Sequence, residues 1–169
     1  KTLDSVSAVR VRTILAECDP KTTLIIQSSK SGGTIEPTLV MKAVRTILAE
    51  TLSEEEIPSH LIAITDPGSE LEARAKEEGW AKVFSGEPTV GGRYSALSVF
   101  GLVPAALVGI DIKKVMESAR NAEELCSTDD LDNPASNLAA FLFDNYKNGR
   151  DKFSFFTPKR GRVLGLWIE

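Results

Sequence analysis

The spacing of apolar and polar positions divides the chain into short apolar runs separated by helical stripes, an order that predicts a parallel sheet. Thr23-Leu24-Ile25-Ile26-Gln27 follows the turn signal Asp19-Pro20 and predicts a buried strand over 23–27. It runs into the polar loop Ser28-Ser29-Lys30-Ser31-Gly32-Gly33-Thr34. Beyond that loop Leu39, Val40, Ala43, Val44, Ile47 and Leu48 recur on one face of a helix. Leu61-Ile62-Ala63-Ile64-Thr65 predicts a second strand. Asp66-Pro67-Gly68 turns the chain, and the charged segment Glu70 to Gly79 predicts a short helix with Gly79 past its end. Ala81 to Phe84 is the third short strand. Strands joined by helices of this length imply right-handed crossovers and a mainly parallel sheet covered on both faces. The expected fold class is α/β.

After Phe84 the pattern turns mostly helical. Ile112, Val115, Met116 and Ala119 form one apolar face, and Leu138, Ala139, Leu142 and Tyr146 form another, with Asn133-Pro134 as cap and first turn of the second helix. Phe153 to Thr157 predicts a further strand, while Val163 to Glu169 fits either a helix start or a last strand. At the other end, Ser7 to Cys18 predicts a helix with no strand before it. Two readings of that opening stand side by side: a piece of something longer, or a small α/β domain that starts with a helix.

Composition narrows the function classes. With 169 residues and 42% apolar content, the chain is expected to form a single domain over 1–169. A net charge of −4 supplies no general positive field for nucleic acid or an anionic membrane. Lys152, Lys159, Arg160 and Arg162 read as a solvated face. Cys18 and Cys126 read as free thiols, with no metal-ligand spacing around them. No basic-then-apolar leader is present, and the apolar stretch Leu97 to Ile110 is shorter than a membrane span and broken by Gly101, Pro104 and Gly109. A cytoplasmic protein is the expectation. His60, in Pro58-Ser59-His60, reads as an exposed turn residue.

Two segments carry candidate chemistry. A parallel sheet places ligands beyond the carboxyl ends of its strands, where the loop Ser28 to Thr34 lies before leading into a helix. Gly32 and Gly33 can turn backbone N–H groups inward, and the helix start adds unpaired donors and the positive end of its dipole. Ser29, Ser31 and Thr34 add hydroxyls, an inventory that suits a monophosphate. No Gly-x-Gly-x-x-Gly fingerprint or Walker motif is present, so sugar phosphate fits better than dinucleotide. A Ser/Gly-rich turn without a ligand remains the plain alternative, and Lys30 could equally be solvent-facing charge. The second segment is Gly91-Gly92-Arg93-Tyr94-Ser95, where two glycines would let a guanidinium approach a ligand oxygen closely. Taken alone, Arg93 reads more readily as a surface or scaffold arginine.

Taken together these segments resemble phosphoglucose isomerase, within the larger family of sugar isomerase (SIS) domains. Ser28 to Glu36 resembles its phosphate loop and Val90 to Ser95 its second signature, continued by Leu102 to Asp111, LVPAALVGID. Leu3-Asp4-Ser5 and Leu164 to Glu169 extend the likeness over essentially the whole chain. The resemblance implies a flavodoxin-like three-layer sandwich, incomplete here at both ends. It places phosphate contacts on Ser29, Ser31 and Thr34, with Lys30 giving main-chain support. It matches Glu36 to a glutamate beside the catalytic histidine, and Arg93, supported by Gly92, to the arginine that steadies an enediolate. Gly33 stands where many members carry threonine, and Pro37 where a further phosphate-contacting threonine is common, so this loop should rely more on backbone donors. The SGGT form of the loop resembles that of isomerases fused to transaldolase.

What the resemblance implies is reversible aldose–ketose isomerisation of glucose 6-phosphate and fructose 6-phosphate through a cis-enediolate, with no cofactor and no metal. The family's base glutamate, catalytic histidine, assisting lysine and first glycine loop match nothing in this sequence. The chain by itself is therefore expected to be inactive, with activity and homodimerisation belonging to a full-length protein. Two other readings stand beside it: a non-catalytic sugar-phosphate sensor, and a structural or dimerisation domain without a ligand.

Overall fold

A computed structural model describes residues 1–154 and Phe156. Three strands, β1 (Ile25–Ser28), β2 (Leu61–Thr65) and β3 (Lys82–Ser85), pair in the order β1-β2-β3, both pairs parallel. The helices are α1 (Ala8–Ala16), α2 (Ile35–Leu48), α3 (Glu70–Glu77), α4 (Val99–Leu107), α5 (Ile112–Cys126) and α6 (Pro134–Lys147). The result is a three-layer α/β sandwich with a small parallel sheet, as the apolar runs imply. The chain forms two compact units, residues 1–113 and 114–169.

In the first unit, β2 is the central strand and all five of its residues are buried. Five consecutive apolar or β-branched residues suit a strand that has helices on both faces and neighbours on both edges. Leu61 and Ala63 join Val11 and Leu15 of α1, Met41, Val44 and Leu48 of α2, and Leu71 and Ala75 of α3 in one apolar core. Ile62 and Ile64, pointing to the opposite face by strand alternation, are buried as well, and α4 packs against β2. Gln27, expected as the end of an apolar run, is instead a buried polar residue whose Oε1 accepts from Nη2 of Arg74 at 3.1 Å. Arg74 also lies over the Trp80 ring, 5.8 Å from its centroid.

Several boundaries and faces differ from expectation. β1 starts two residues later than 23, because the hydroxyl of Thr23 donates to the Asp19 carbonyl at 2.6 Å and keeps that stretch in the preceding turn. On α2 the predicted face holds for Val44 and Leu48, which are buried, and for Val40, Ala43 and Ile47, which pack partly buried against the core; it differs in that Leu39 is exposed and Met41 is buried. His60 is half-buried, its Nδ1 2.9 Å from the Thr23 carbonyl, so it fastens the entry of β2 to that of β1 rather than standing in solvent. Gly79 does follow α3, at φ 68°.

In the second unit, Asn133 joins the end of α5 to the start of α6. Its Oδ1 accepts from the N–H groups of Ala135 and Ser136, and its Nδ2 donates to the carbonyls of Cys126 and Thr128. All four bonds are possible only for an amide, and Asn133 is buried. The predicted α6 face carrying Leu138, Leu142 and Tyr146 is exposed in this chain. Of the strand expected over 153–157, Phe153, Ser154 and Phe156 belong to no regular element, and the remainder, like Val163 to Glu169, lies outside the described residues. Among the described residues no helix is long and apolar enough to cross a membrane, and no group of acidic, His or Cys side chains could hold a metal ion.

Candidate functional site

Because all three strands are parallel, the loops after β1, β2 and β3 leave from one edge of the sheet, the carboxyl edge. Hydrogen bonds continue past the strand ends and fasten these exits together. Ser29 N–H donates to Ile64 O at 3.0 Å, Asp66 N–H to Lys30 O at 3.0 Å, and Gly86 N–H to Thr65 O at 2.7 Å. The polar loop from Ser29 to Thr34 therefore starts from a fixed base.

Gly32 is the pivot of that loop. Its φ of 71° is left-handed, and a Cβ there would lie 2.8 Å from the backbone nitrogen of Leu71 and 3.0 Å from Cβ of Ser69. The loop thus rests directly on the first turn of α3, which only glycine permits. Gly33 has no atom within 4 Å of its Cβ position, so the threonine usual in the resembled family would find open space there.

The donors this loop presents are mostly unspent. Thr34 is the N-cap of α2, yet its side chain makes no capping bond. Among the described residues the backbone N–H groups of Ser31, Gly32, Thr34, Ile35 and Glu36 donate to no acceptor, and the hydroxyl of Ser29 makes no hydrogen bond. Ser31 Oγ only receives a long 3.4 Å bond from Gly33 N–H. Pro37 occupies the third helical position and has no N–H, removing one of the donors a helix start ordinarily offers. Chemically the loop is a neutral cradle of amides and hydroxyls at the positive end of a helix dipole, the arrangement that receives an anion.

Lys30 is not part of that cradle through its charge, nor does it face solvent. Its ammonium lies 2.5 Å from Oδ2 of Asp66 and donates to the carbonyls of Glu87 at 3.1 Å and Pro88 at 3.4 Å. Asp66, expected only as a turn residue, is thus a neighbour of the candidate loop that sequence reasoning missed. The available signal was an acidic residue at the carboxyl end of a central strand. The carboxyl of Glu87 is held below its ordinary value, first by the N–H of Thr89, then by its hydroxyl, with a smaller pull from Lys30.

The second segment lies further from a strand end than expected: β3 ends at Ser85, and Gly92–Leu97 forms a 3-10 helix leading into α4. Arg93 is exposed and makes no hydrogen bond or ion pair among the described residues. Neither Gly91 nor Gly92 adopts a positive φ, and Gly92 has no atom within 4 Å of its Cβ position, so glycine is not needed there to bend the chain. The close packing is at Gly101, where a Cβ would run into the Ala96 carbonyl, so α4 and the 3-10 helix sit back to back. Glu36 lies exposed in the first turn of α2. The structure therefore groups Ser29, Ser31, Thr34 and Glu36 at one strand-to-helix junction, with Gly92 and Arg93 on the loop that follows β3.

Comparison with known proteins bears on the family and the fold. A family model described as phosphoglucose isomerase matches residues 1–153. The chain is 45% identical over 144 residues to a glucose-6-phosphate isomerase of Synechococcus sp. (strain JA-2-3B'a(2-13)), covering 84% of this chain and 26% of that protein. A glucose-6-phosphate isomerase of Parasynechococcus marenigrum (strain WH8102) is 37% identical over 171 residues, covering 98% and 31% respectively. Among solved structures, a hypothetical protein from Thermus thermophilus superposes with a TM-score of 0.79 at 34% identity, over 85% of this chain and 34% of that one. A glucose-6-phosphate isomerase from Chlamydia trachomatis D/UW-3/Cx gives 0.52 at 30% identity, over 60% and 19%. The chain spans about a quarter to a third of the length of these curated relatives. With the family model covering nearly all of the chain, and with the parallel sheet and strand-to-helix junction that its residues build, the chain belongs to the phosphoglucose isomerase family.

Proposed function

We propose that this chain supplies the phosphate cradle and the charge-stabilising arginine of a glucose-6-phosphate isomerase, and that proton transfer is carried by residues outside it. Ser29, Ser31 and Thr34, with the amides up to Glu36, hold the phosphate of glucose 6-phosphate or fructose 6-phosphate. Arg93, next to Gly92, neutralises the oxyanion of a cis-enediolate. Glu36 orients the catalytic histidine of the complete site. The reaction moves a proton between C2 and C1 and needs no redox or metal chemistry.

The observation that carries this reading is the set of unspent donors at the α2 start, next to a lysine whose charge is already neutralised. Phosphate is bound there by neutral, directed donors, a mode that depends on geometry rather than net charge. An exposed arginine beside an open glycine favours catalysis over a sensor, because a binding module has no enediolate to stabilise.

Calorimetric titration of the chain with fructose 6-phosphate tests the cradle. Binding that weakens in Ser31→Ala and Thr34→Ala variants is expected; undiminished binding in both would remove the site from this loop. A coupled assay with glucose 6-phosphate should stay at background for the chain and turn over for the full-length protein that carries it. An inactive full-length protein would favour the sensor.

A further inference from the structure

The geometry points to Lys30 as a positioning residue: its ammonium ties the phosphate loop to the segment that leads into Gly92-Arg93, and so sets the guanidinium relative to the anion-binding amides. This rests on the isomerase reading above.

An ammonium has three N–H donors. Lys30 has three acceptors from two different exits of the sheet: Asp66 Oδ2 after β2, and the Glu87 and Pro88 carbonyls after β3. None of the donors is left to address a phosphate. The main chain of the same residue is held as well, since Lys30 O accepts from Asp66 N–H at 3.0 Å and Thr65 Oγ1 at 3.3 Å. A strut works only if its anchor is held, and Asp66 is closely packed. A Cβ on Gly86 would lie 2.5 Å from its Oδ1 and 2.5 Å from the Phe100 ring, so carboxylate, glycine and ring are packed without slack.

The far end transmits any displacement. Glu87 receives both the N–H and the hydroxyl of Thr89 on Oε1, at 3.1 and 2.8 Å, which makes Glu87 to Thr89 a closed turn. Val90 N–H then donates to Glu87 O at 3.1 Å and Tyr94 N–H to Gly91 O at 2.9 Å. From the Lys30 ammonium these bonds run through Glu87 to Val90 and, one peptide on, from Gly91 to Tyr94, so that Arg93 lies inside the turn they close. A lysine with its charge already matched serves this purpose without competing for the substrate's phosphate.

The test uses Lys30→Met, Asp66→Asn and the double variant in the full-length protein that carries this chain. Two quantities are read: amide hydrogen exchange at Thr89 to Arg93, and kcat and KM for fructose 6-phosphate. Each single variant is expected to speed exchange in that segment and to lower kcat by up to about 10²-fold, the scale of a small misplacement of a catalytic group. The double variant should be no worse than Lys30→Met, since that substitution already removes the Asp66 contact together with those to Glu87 and Pro88. Lys30→Arg, which keeps charge and donors, should restore part of both readouts and serves where Lys30→Met fails to fold. Unchanged exchange with additive kcat losses overturns the proposal. So does a Lys30→Met variant that alone loses affinity for inorganic phosphate while Asp66→Asn keeps it, because Lys30 would then be a direct phosphate ligand. A wild-type protein without isomerase activity defeats the proposed function alone, and the exchange rates still decide the strut.

Discussion

Gly32 packs so directly on Leu71 that a Cβ would approach the Leu71 backbone nitrogen to 2.8 Å. The neighbouring Gly33 meets nothing within 4 Å. The two glycines of the loop are therefore not equivalent, although the sequence writes them as a pair. Gly32→Ala combines left-handed backbone strain with a backbone collision that no rotamer relieves, and should cost about 1–3 kcal/mol. Gly33→Ala should stay within about 0.5 kcal/mol. Urea denaturation of the two variants checks this, and equal losses would mean that the loop does not rest on α3.

Two N-caps in the first unit offer a second contrast. Ser69 caps α3 by accepting from Glu72 N–H at 3.1 Å, and its hydroxyl also meets that of the fully buried Thr65 at 2.7 Å. Thr34 caps α2 without a side-chain bond. Ser69→Ala is expected to lower stability by about 1–2 kcal/mol, while Thr34→Ala changes it by a few tenths. Phosphate affinity should respond in the opposite order, falling in Thr34→Ala. Thermal denaturation with and without inorganic phosphate reads both effects in one experiment.

Arg93 has no partner to lose within the described residues. Arg93→Ala should leave stability within about 0.5 kcal/mol. On the isomerase reading, kcat of the full-length protein should nevertheless fall by about 10²- to 10³-fold, the usual consequence of removing one oxyanion-stabilising donor. Steady-state kinetics beside a melting curve separates the two, and a variant with near-normal kcat would take the enediolate role away from Arg93.

Three glutamates favour their charged form in the folded chain. Glu72 is held below its ordinary value first by the Lys76 ammonium and then by Gly68 N–H, Glu56 first by Ser53 N–H, and Glu87 first by Thr89 N–H. Each is depressed in the folded state, so the stability it contributes is present above the unfolded carboxylate range, near pH 4.5, and is lost as pH falls through the lower folded values. Denaturation midpoints measured from pH 6 downward should drop below about pH 4.5. Glu72→Gln should flatten part of that drop, and an unchanged slope would show that Glu72 is not among its causes.

Much of the fold was readable because it depends on local patterns. Leu61 to Thr65 announces a strand by five consecutive residues, and Asn133-Pro134 announces a helix start by two. The loop between β1 and α2 was likewise visible as a polar, glycine-bearing stretch between two apolar segments. Less visible was the edge of a helix face: the predicted stripe of α2 took in the exposed Leu39 and left out the buried Met41, because periodicity counts apolar residues without knowing where the sheet lies.

By itself, then, the sequence determined the order of strands and helices and the donor-rich loop, since each rests on residues within about one or two turns of one another. Tertiary structure alone decided the partners of Lys30. Ser28 pairs with Ile64, and continuing that parallel register by two residues sets Lys30 beside Asp66, 36 positions away in the chain. A lysine in a polar loop reads as solvated charge or as a phosphate ligand until that register is known. Once the strands are aligned its ammonium is neutralised, and what remains for an anion is the geometry of amides and hydroxyls around it.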